Sequence, residues 1–325
     1  MRGLWIAGGA VLVLAGMAWI FGVRGFSGGG EPQAHTAPPP GGSTGVAAEA
    51  LPAERTGGFD GLAAYRHVEQ LVSFGPRTPG SAGSRKAQEY IAQELKGYGC
   101  AVEADEFEAA TPLGRVAMKN LVAKIRGKSE DLLLLMSHYD TLRMENFVGA
   151  NDSGSSTAVM LELARRLCQR ENALSIWIAF VDGEEAFVQW SDTDSTYGSR
   201  QLAARMALSG DLKRTKAVLL ADMVGDRNLN LNRELNSTPW LRTLVVETAE
   251  RLGYGAHFAG EATQIEDDHV PFLRRGIPAV DLIDFDYPHW HTPADTLDKI
   301  SPRSMAIVGH VLLEVIPELE KKFSR

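Results

Sequence analysis

The sequence has little cysteine, no excess of positive charge and only one long stretch free of charge. Two cysteines, Cys100 and Cys168, in 325 residues are too few for a disulfide scaffold or a Cys-rich zinc site. A net charge of −8 supplies no basic footprint, which argues against nucleic acid as a partner. Leu4–Val23 is the one long uncharged run, so a multi-span membrane protein is excluded. What is present is globular in character: 44% hydrophobic and 23% charged residues, unlike disordered, collagenous or coiled-coil chains. The length admits two domains, but α/β enzymes of about 250 residues are often single domains.

The run Leu4–Val23 holds twenty residues, enough to cross a hydrocarbon core of ~30 Å as a helix. Arg2 precedes it and Arg24 follows it, and the terminal amine adds a positive charge on the leading side. Residues 1–24 therefore read as an anchor with the N-terminus inside and the bulk of the chain outside the cytoplasm. A cleaved signal peptide, with Gly16 and Ala18 ahead of the cut, is the alternative. Trp19-Ile20-Phe21 continues the run past that point and favours the anchor. Either way the protein is exported. Residues 25–58 hold nine Gly and five Pro, too poor in large apolar side chains to offset their ordering entropy, and read as a flexible linker. Residues 59–325 then form one catalytic domain.

Within it, strand and helix patterns alternate. Helices are expected over 65–74, 84–96, 153–168, 237–252 and 302–319, the last kinked or broken near Pro317. Strands are expected over 102–107 and 116–125, and as short buried runs over 132–136, 175–181, 217–220 and 278–283. Buried runs separated by helices predict an α/β fold, with a mostly parallel central sheet and helices on both faces.

Each buried run ends in acids or histidines: His138 and Asp140; Asp182, Glu184 and Glu185; Asp222; and Asp284, Asp286, His289 and His291. Ligands of open α/β sheets bind beyond the carboxyl ends of the strands. Oxygen and imidazole donors gathered there suit zinc. Asp152, just before a helix, reads either as a helix cap or as a ligand. Glu184-Glu185 reads either as a solvated loop or as a ligand beside a proton carrier, since two buried carboxylates are costly unless paired. His291, between aromatics, reads as a ligand, and His289 less so. Trp190 and Trp290 are core residues or pocket walls. The acids of Glu266-Asp267-Asp268 could simply favour a helix N-terminus.

The order His138-Tyr139-Asp140, Asn151-Asp152-Ser153, Asp182-Gly183-Glu184-Glu185, Asp222, Asp267-Asp268-His269 and His291-Thr292 resembles the zinc exopeptidase superfamily that includes the M28 aminopeptidases. Within it, the stretch from Asp182-Gly183-Glu184-Glu185 through Trp190-Ser191 to Tyr197-Gly198-Ser199-Arg200 resembles the glutaminyl-peptide cyclotransferases, as do Phe272-Leu273-Arg274-Arg275-Gly276-Ile277-Pro278 and Trp290-His291-Thr292. The resemblance covers roughly Tyr65 to the C-terminus. It implies one zinc per chain on Asp152, Glu185 and His291, with Glu184 as general acid/base. It further implies a carboxylate network of Asp222 and Asp267, and a substrate pocket walled by Trp190, Trp290 and Tyr287. The substrates implied are peptides or proteins with N-terminal glutamine, handled by a monomer. Two departures stand out: Glu266 occupies a position that is Gln in animal cyclases, and Ser137 and Thr157 replace a disulfide of the secreted animal enzymes.

Two other functions remain open at this stage. His138, a bridging Asp152 and Asp222 could build a second metal site, as in a two-zinc aminopeptidase. An exported binding domain without catalysis is the third reading, disfavoured by the intact ligand set and Glu184.

Overall fold

A computed structural model describes residues 43–324. The expected anchor and the first part of the expected linker lie outside these residues. The rest of that linker is structured: α1 spans Ser43–Glu49, a 3₁₀ turn spans Ala53–Arg55, and Thr56 is buried. The Thr56 hydroxyl donates to the Phe59 carbonyl, so the packed chain starts ahead of the expected boundary at 59.

Eight strands follow: β1 Ala101–Thr111, β2 Gly114–Ile125, β3 Ser129–His138, β4 Leu174–Val181, β5 Thr215–Asp222, β6 Arg233–Glu234, β7 Ala262–Thr263 and β8 Ala279–Ile283. The helices after α1 are α2 Gly61–Ser73, α3 Ala82–Gly97, α4 Ser156–Leu167, α5 Tyr197–Ser209, α6 Asp211–Arg214, α7 Pro239–Arg251, α8 Val270–Leu273 and α9 Pro302–Phe323. The main sheet has the order β1-β2-β4-β3-β5-β8. The pairs β3/β4, β3/β5 and β5/β8 are parallel. The β1/β2 and β2/β4 pairs are antiparallel, so the sheet is mixed, with its antiparallel part at one edge. A two-residue turn joins β1 to β2, which leaves only a hairpin open to them.

Strand alternation sorts the core into two layers. Leu133 and Leu135 of β3 face α2, α3, α4, α7 and α9, while Leu132, Leu134 and Met136 face α5, α6 and α8. Helices thus cover both faces. Local chemistry starts them: Asp60 caps α2 by accepting from the Leu62 and Ala63 amides, so α2 begins at Gly61, four residues ahead of the expected start at 65, and Ser81 and Ser301 cap α3 and α9. Two expectations are corrected. The helix after Asp152 begins at Ser156, because Ala150–Ser155 forms an irregular turn with non-helical angles at Asp152 and Ser153. α9 continues through Pro317 to Phe323, with Val315, Ile316 and Leu319 buried around the proline. Helix α5 was not anticipated from the sequence.

The two cysteines pair, Cys100 at the start of β1 with Cys168 at the end of α4, across 68 residues. Closing a loop of that size removes about 4 kcal/mol of denatured-chain entropy. Among the described residues no helix is long and apolar enough to cross a membrane.

Candidate active site

The chain leaves β3 toward β4 on one side and leaves β5 toward β8 on the other, so the connections diverge between β3 and β5. A crevice opens at such a point beyond the strand ends. Into it the strands deliver His138, Glu184, Glu185 and Asp222, and neighbouring loops add Asp152, Asp267 and His291.

The three residues expected as ligands meet. His291 Nε2 lies 3.2 Å from a Glu185 oxygen and 3.4 Å from an Asp152 oxygen. Asp152 is therefore not a helix cap: its carboxylate faces two imidazoles. The other is His138, whose Nε2 stands 3.3 Å from Asp152 and 3.2 Å from Asp222. Two candidate metal clusters result, Asp152–Glu185–His291 and His138–Asp152–Asp222, sharing Asp152.

The electrostatics of the first cluster suit a cation. Burial and the facing Asp152 charge push Glu185 up to about 7, against the pull of His291. Burial alone would lower His291, yet its two carboxylate partners push it up to about 10. Asp152, despite burial, is held below the usual carboxylate range by His138 and His291. Two carboxylates and an imidazole converging in a buried place form a donor set that zinc accepts.

Glu184 belongs to neither cluster but lines the same cavity. Burial raises it well above the ordinary carboxylate range; His138 opposes the rise, and Asp267, Glu185 and Asp268 add to it. Asp267, raised to about 6 by burial and by Asp222, lines the cavity too, as does Asp222. The cavity holds about 510 Å³. Trp190 and Trp290 line it and are 38% and 39% exposed, so neither is a core residue. Trp290 stacks on His291 with ring centroids 4.2 Å apart and packs on Phe285 at 4.7 Å. Phe285, which the sequence reading passed over, is a third aromatic wall. Glu266 lines the cavity as well, half-exposed and 3.8 Å from Arg274.

Tyr287 is placed differently from expectation. It is buried outside the cavity lining, and its hydroxyl donates to Asp295 at 2.8 Å. Asp295 in turn accepts from the Asn151 and Asp152 amides at 2.8 and 3.0 Å. The pair thus positions the loop that carries Asp152. His289 joins neither cluster; its ring packs edge-on against Tyr287.

Other supporting residues carried no motif strong enough to be assigned a role. Asp140 accepts from the Glu184 and Glu185 amides, fixing the turn that aims both side chains. That turn passes through Gly183 at φ +69°, where a Cβ would fall 2.7 Å from the Met118 sulfur. Asp194 accepts from the Phe187, Val188 and Gln189 amides and from the Tyr197 hydroxyl, ordering the loop that carries Trp190. Arg77, fully buried, donates to the carbonyls of Tyr139, Val148 and Gly149 and brings a positive charge near Asp295, Asp140 and Asp152. Thr157 donates to the His138 carbonyl at 2.7 Å. Four described non-glycine residues have left-handed φ, and three border the site: Thr196, Met223 and His291. Backbone strain of this kind concentrates where a site must be held in one geometry.

The domain model described as Peptidase family M28 matches residues 120–316. A glutaminyl-peptide cyclotransferase of Boiga irregularis is 32% identical over 277 residues, covering 73% of this chain and 75% of the snake protein. The protein of the same name from Drosophila melanogaster is 33% identical over 273 residues, covering 74% and 77%. The crystal structure of an Acidobacteriales bacterium glutaminyl cyclase superposes with a TM-score of 0.77 at 42% identity, covering 81% of this chain and 96% of that one.

Proposed function

Because the chain belongs to peptidase family M28 and, within it, to the glutaminyl-peptide cyclotransferases, we propose that it closes the N-terminal glutamine of peptides and proteins to pyroglutamate, with Asp152, Glu185 and His291 holding one zinc and Glu184 moving the proton. The observation that carries this assignment of roles is the position of Glu184: a buried carboxylate beside the three-residue cluster, outside it, and open to the same cavity.

A zinc held by the cluster supplies Lewis acidity toward the substrate's γ-carboxamide oxygen. The chain's own groups do the rest. Glu184 takes a proton from the substrate's α-amine, whose nitrogen bonds to the γ-carbonyl carbon. The carboxamide C–N bond breaks, and Glu184 returns the proton to the departing nitrogen, which leaves as ammonia. Its raised affinity for protons suits a group that must both accept and return one. Asp267 and Asp222, packed nearby with their own affinities raised, keep negative charge around that proton. Trp190, Trp290 and Phe285 hold the glutamine side chain folded back on its own amine, where orientation is worth several kcal/mol.

The nucleophile is intramolecular, so no second metal is required. The cluster His138–Asp152–Asp222 nevertheless supports a rival, a two-zinc aminopeptidase that brings water to a peptide bond. Side-by-side turnover of the purified protein on Gln-peptides and Leu-anilides decides between them. Ammonia release and pyroglutamate are expected, with one zinc per chain. Faster Leu-anilide cleavage without cyclised product, or two tightly held zinc ions, would assign the chain to the aminopeptidases.

Residues 1–24 as an anchor or signal, residues 25–42 as a tether and a catalytic domain outside the cytoplasm complete this reading. The Cys100–Cys168 bridge supports it, since disulfides persist in oxidising compartments.

A further inference from the structure

A second cavity, of about 530 Å³, shares no residue with the catalytic one. It lies where the segment between α1 and α2 meets the end of α7 and the first half of α9. Arg55, Arg251, Arg303, His257, His310 and Tyr254 line it, with Leu51 and Leu252 as its apolar part and no acid in the lining. In a chain with 41 acidic residues against 33 Lys and Arg, that absence is not scarcity. Among the described residues, neither Arg55 nor Arg303 pairs with a carboxylate, and Arg251 reaches only Glu314, at 3.8 Å. Within the cavity the Tyr254 hydroxyl and His310 Nδ1 are 3.2 Å apart, and His257 Nδ1 stands 3.0 Å from the Leu229 carbonyl, so both rings are held in place.

We propose that this cavity binds a phosphate group carried on a small organic moiety, either a phospholipid head group or a soluble phosphorylated solute. Three exposed arginines border one concavity with no acid in its lining, so their side chains can offer positive charge to an anion. Their planar forks take phosphate oxygens in pairs. Imidazole and phenol groups add directed donors without requiring further charge. The volume exceeds that of a bare phosphate and leaves room for a glycerol-sized group against Leu51 and Leu252.

Titration calorimetry on the full chain tests this, with inorganic phosphate and glycerophosphoglycerol as probes and chloride at matched ionic strength as the baseline. Saturable binding is expected. The Arg55→Gln/Arg303→Gln double variant should weaken it at least ~10-fold, the scale of one lost charge-assisted hydrogen bond. Turnover on Gln-peptides and the melting temperature should stay near wild type, showing that the variant folds. Tighter binding of the phosphodiester assigns a lipid head group, and tighter binding of phosphate a soluble ligand. To separate this cavity from the zinc cluster, the titration is repeated on Asp152→Asn, where binding should persist. Heats no greater than those of chloride, binding unchanged in the double variant, or binding lost in Asp152→Asn would each overturn the proposal.

Discussion

β3 carries two regions that are equally buried and physically opposite. Leu132–Met136 is wholly apolar and packs on helices on both faces. Two residues further on, His138 is just as buried, yet its neighbours are Asp140, Asp152 and Asp222. The first region is stabilised by what it removes from water, about 25 cal/mol per Å² of apolar surface. The second gains nothing from burial; charges taken out of water cost free energy that paired charges and amide donors must offset. Histidines show the same contrast. His67 on α2, among the Tyr90 and Tyr98 phenols, is lowered to about 4, chiefly by burial and then by the charges of Arg66 and Arg165. His138 and His291 suffer the same desolvation and are raised, because carboxylates surround them. Burial sets the stakes, and the neighbours decide the sign.

If the two regions obey different physics, substitutions in them should fail differently. At the rim, His291→Ala should lose its zinc, read by elemental analysis, and bring turnover to background. Glu184→Gln should keep its zinc and lose at least ~10²-fold in turnover, the usual scale for a general acid–base group. Loss of metal from Glu184→Gln would mean that the two glutamates exchange roles. Glu184→Gln should not unfold the protein, since it removes charge from a buried neighbourhood that is already acidic.

In the apolar stretch the expected failure is reversed. Leu134→Ala should cost about 2–5 kcal/mol in denaturant unfolding. Its zinc content and its turnover per folded molecule should stay near wild type. A Leu134→Ala protein of unchanged stability but depressed turnover would erase the distinction.

The smallest expected effect sharpens the contrast between histidines. A lowered pKa means the folded protein favours neutral His67. Its contribution is therefore complete above the unfolded value of about 6.5 and is lost as pH falls toward about 4. The stability gap between wild type and His67→Gln should shrink across that window by up to ~3 kcal/mol. A gap that widened on acidification would mean His67 is charged in the fold.

Much of this was legible beforehand, for local reasons. The leucine run of β3 and the strands ending in His138, Glu184-Glu185, Asp222 and His291 follow from side-chain type and spacing, which lie in short stretches of chain. The choice of Asp152, Glu185 and His291 as ligands came from the resemblance, because the residues taken one at a time left Asp152 and the Glu184-Glu185 pair open. Asp295 illustrates the limit. Its role depends on Asn151, Asp152 and Tyr287, reached only through folding.

What the chain determined by itself was therefore the inventory: which segments would be strands, where the sheet would present oxygen and nitrogen donors, and which family the motifs matched. Tertiary structure decided the partnerships. It withdrew Tyr287 from the pocket, admitted Phe285, set Asp140 under the glutamate turn, placed Arg77 as a buried counter-charge and joined Cys100 to Cys168. The reason is physical. Pattern and propensity act over a few residues, whereas a buried charge or hydrogen bond acquires its free energy from whichever distant residues the fold brings within about 3 Å of it.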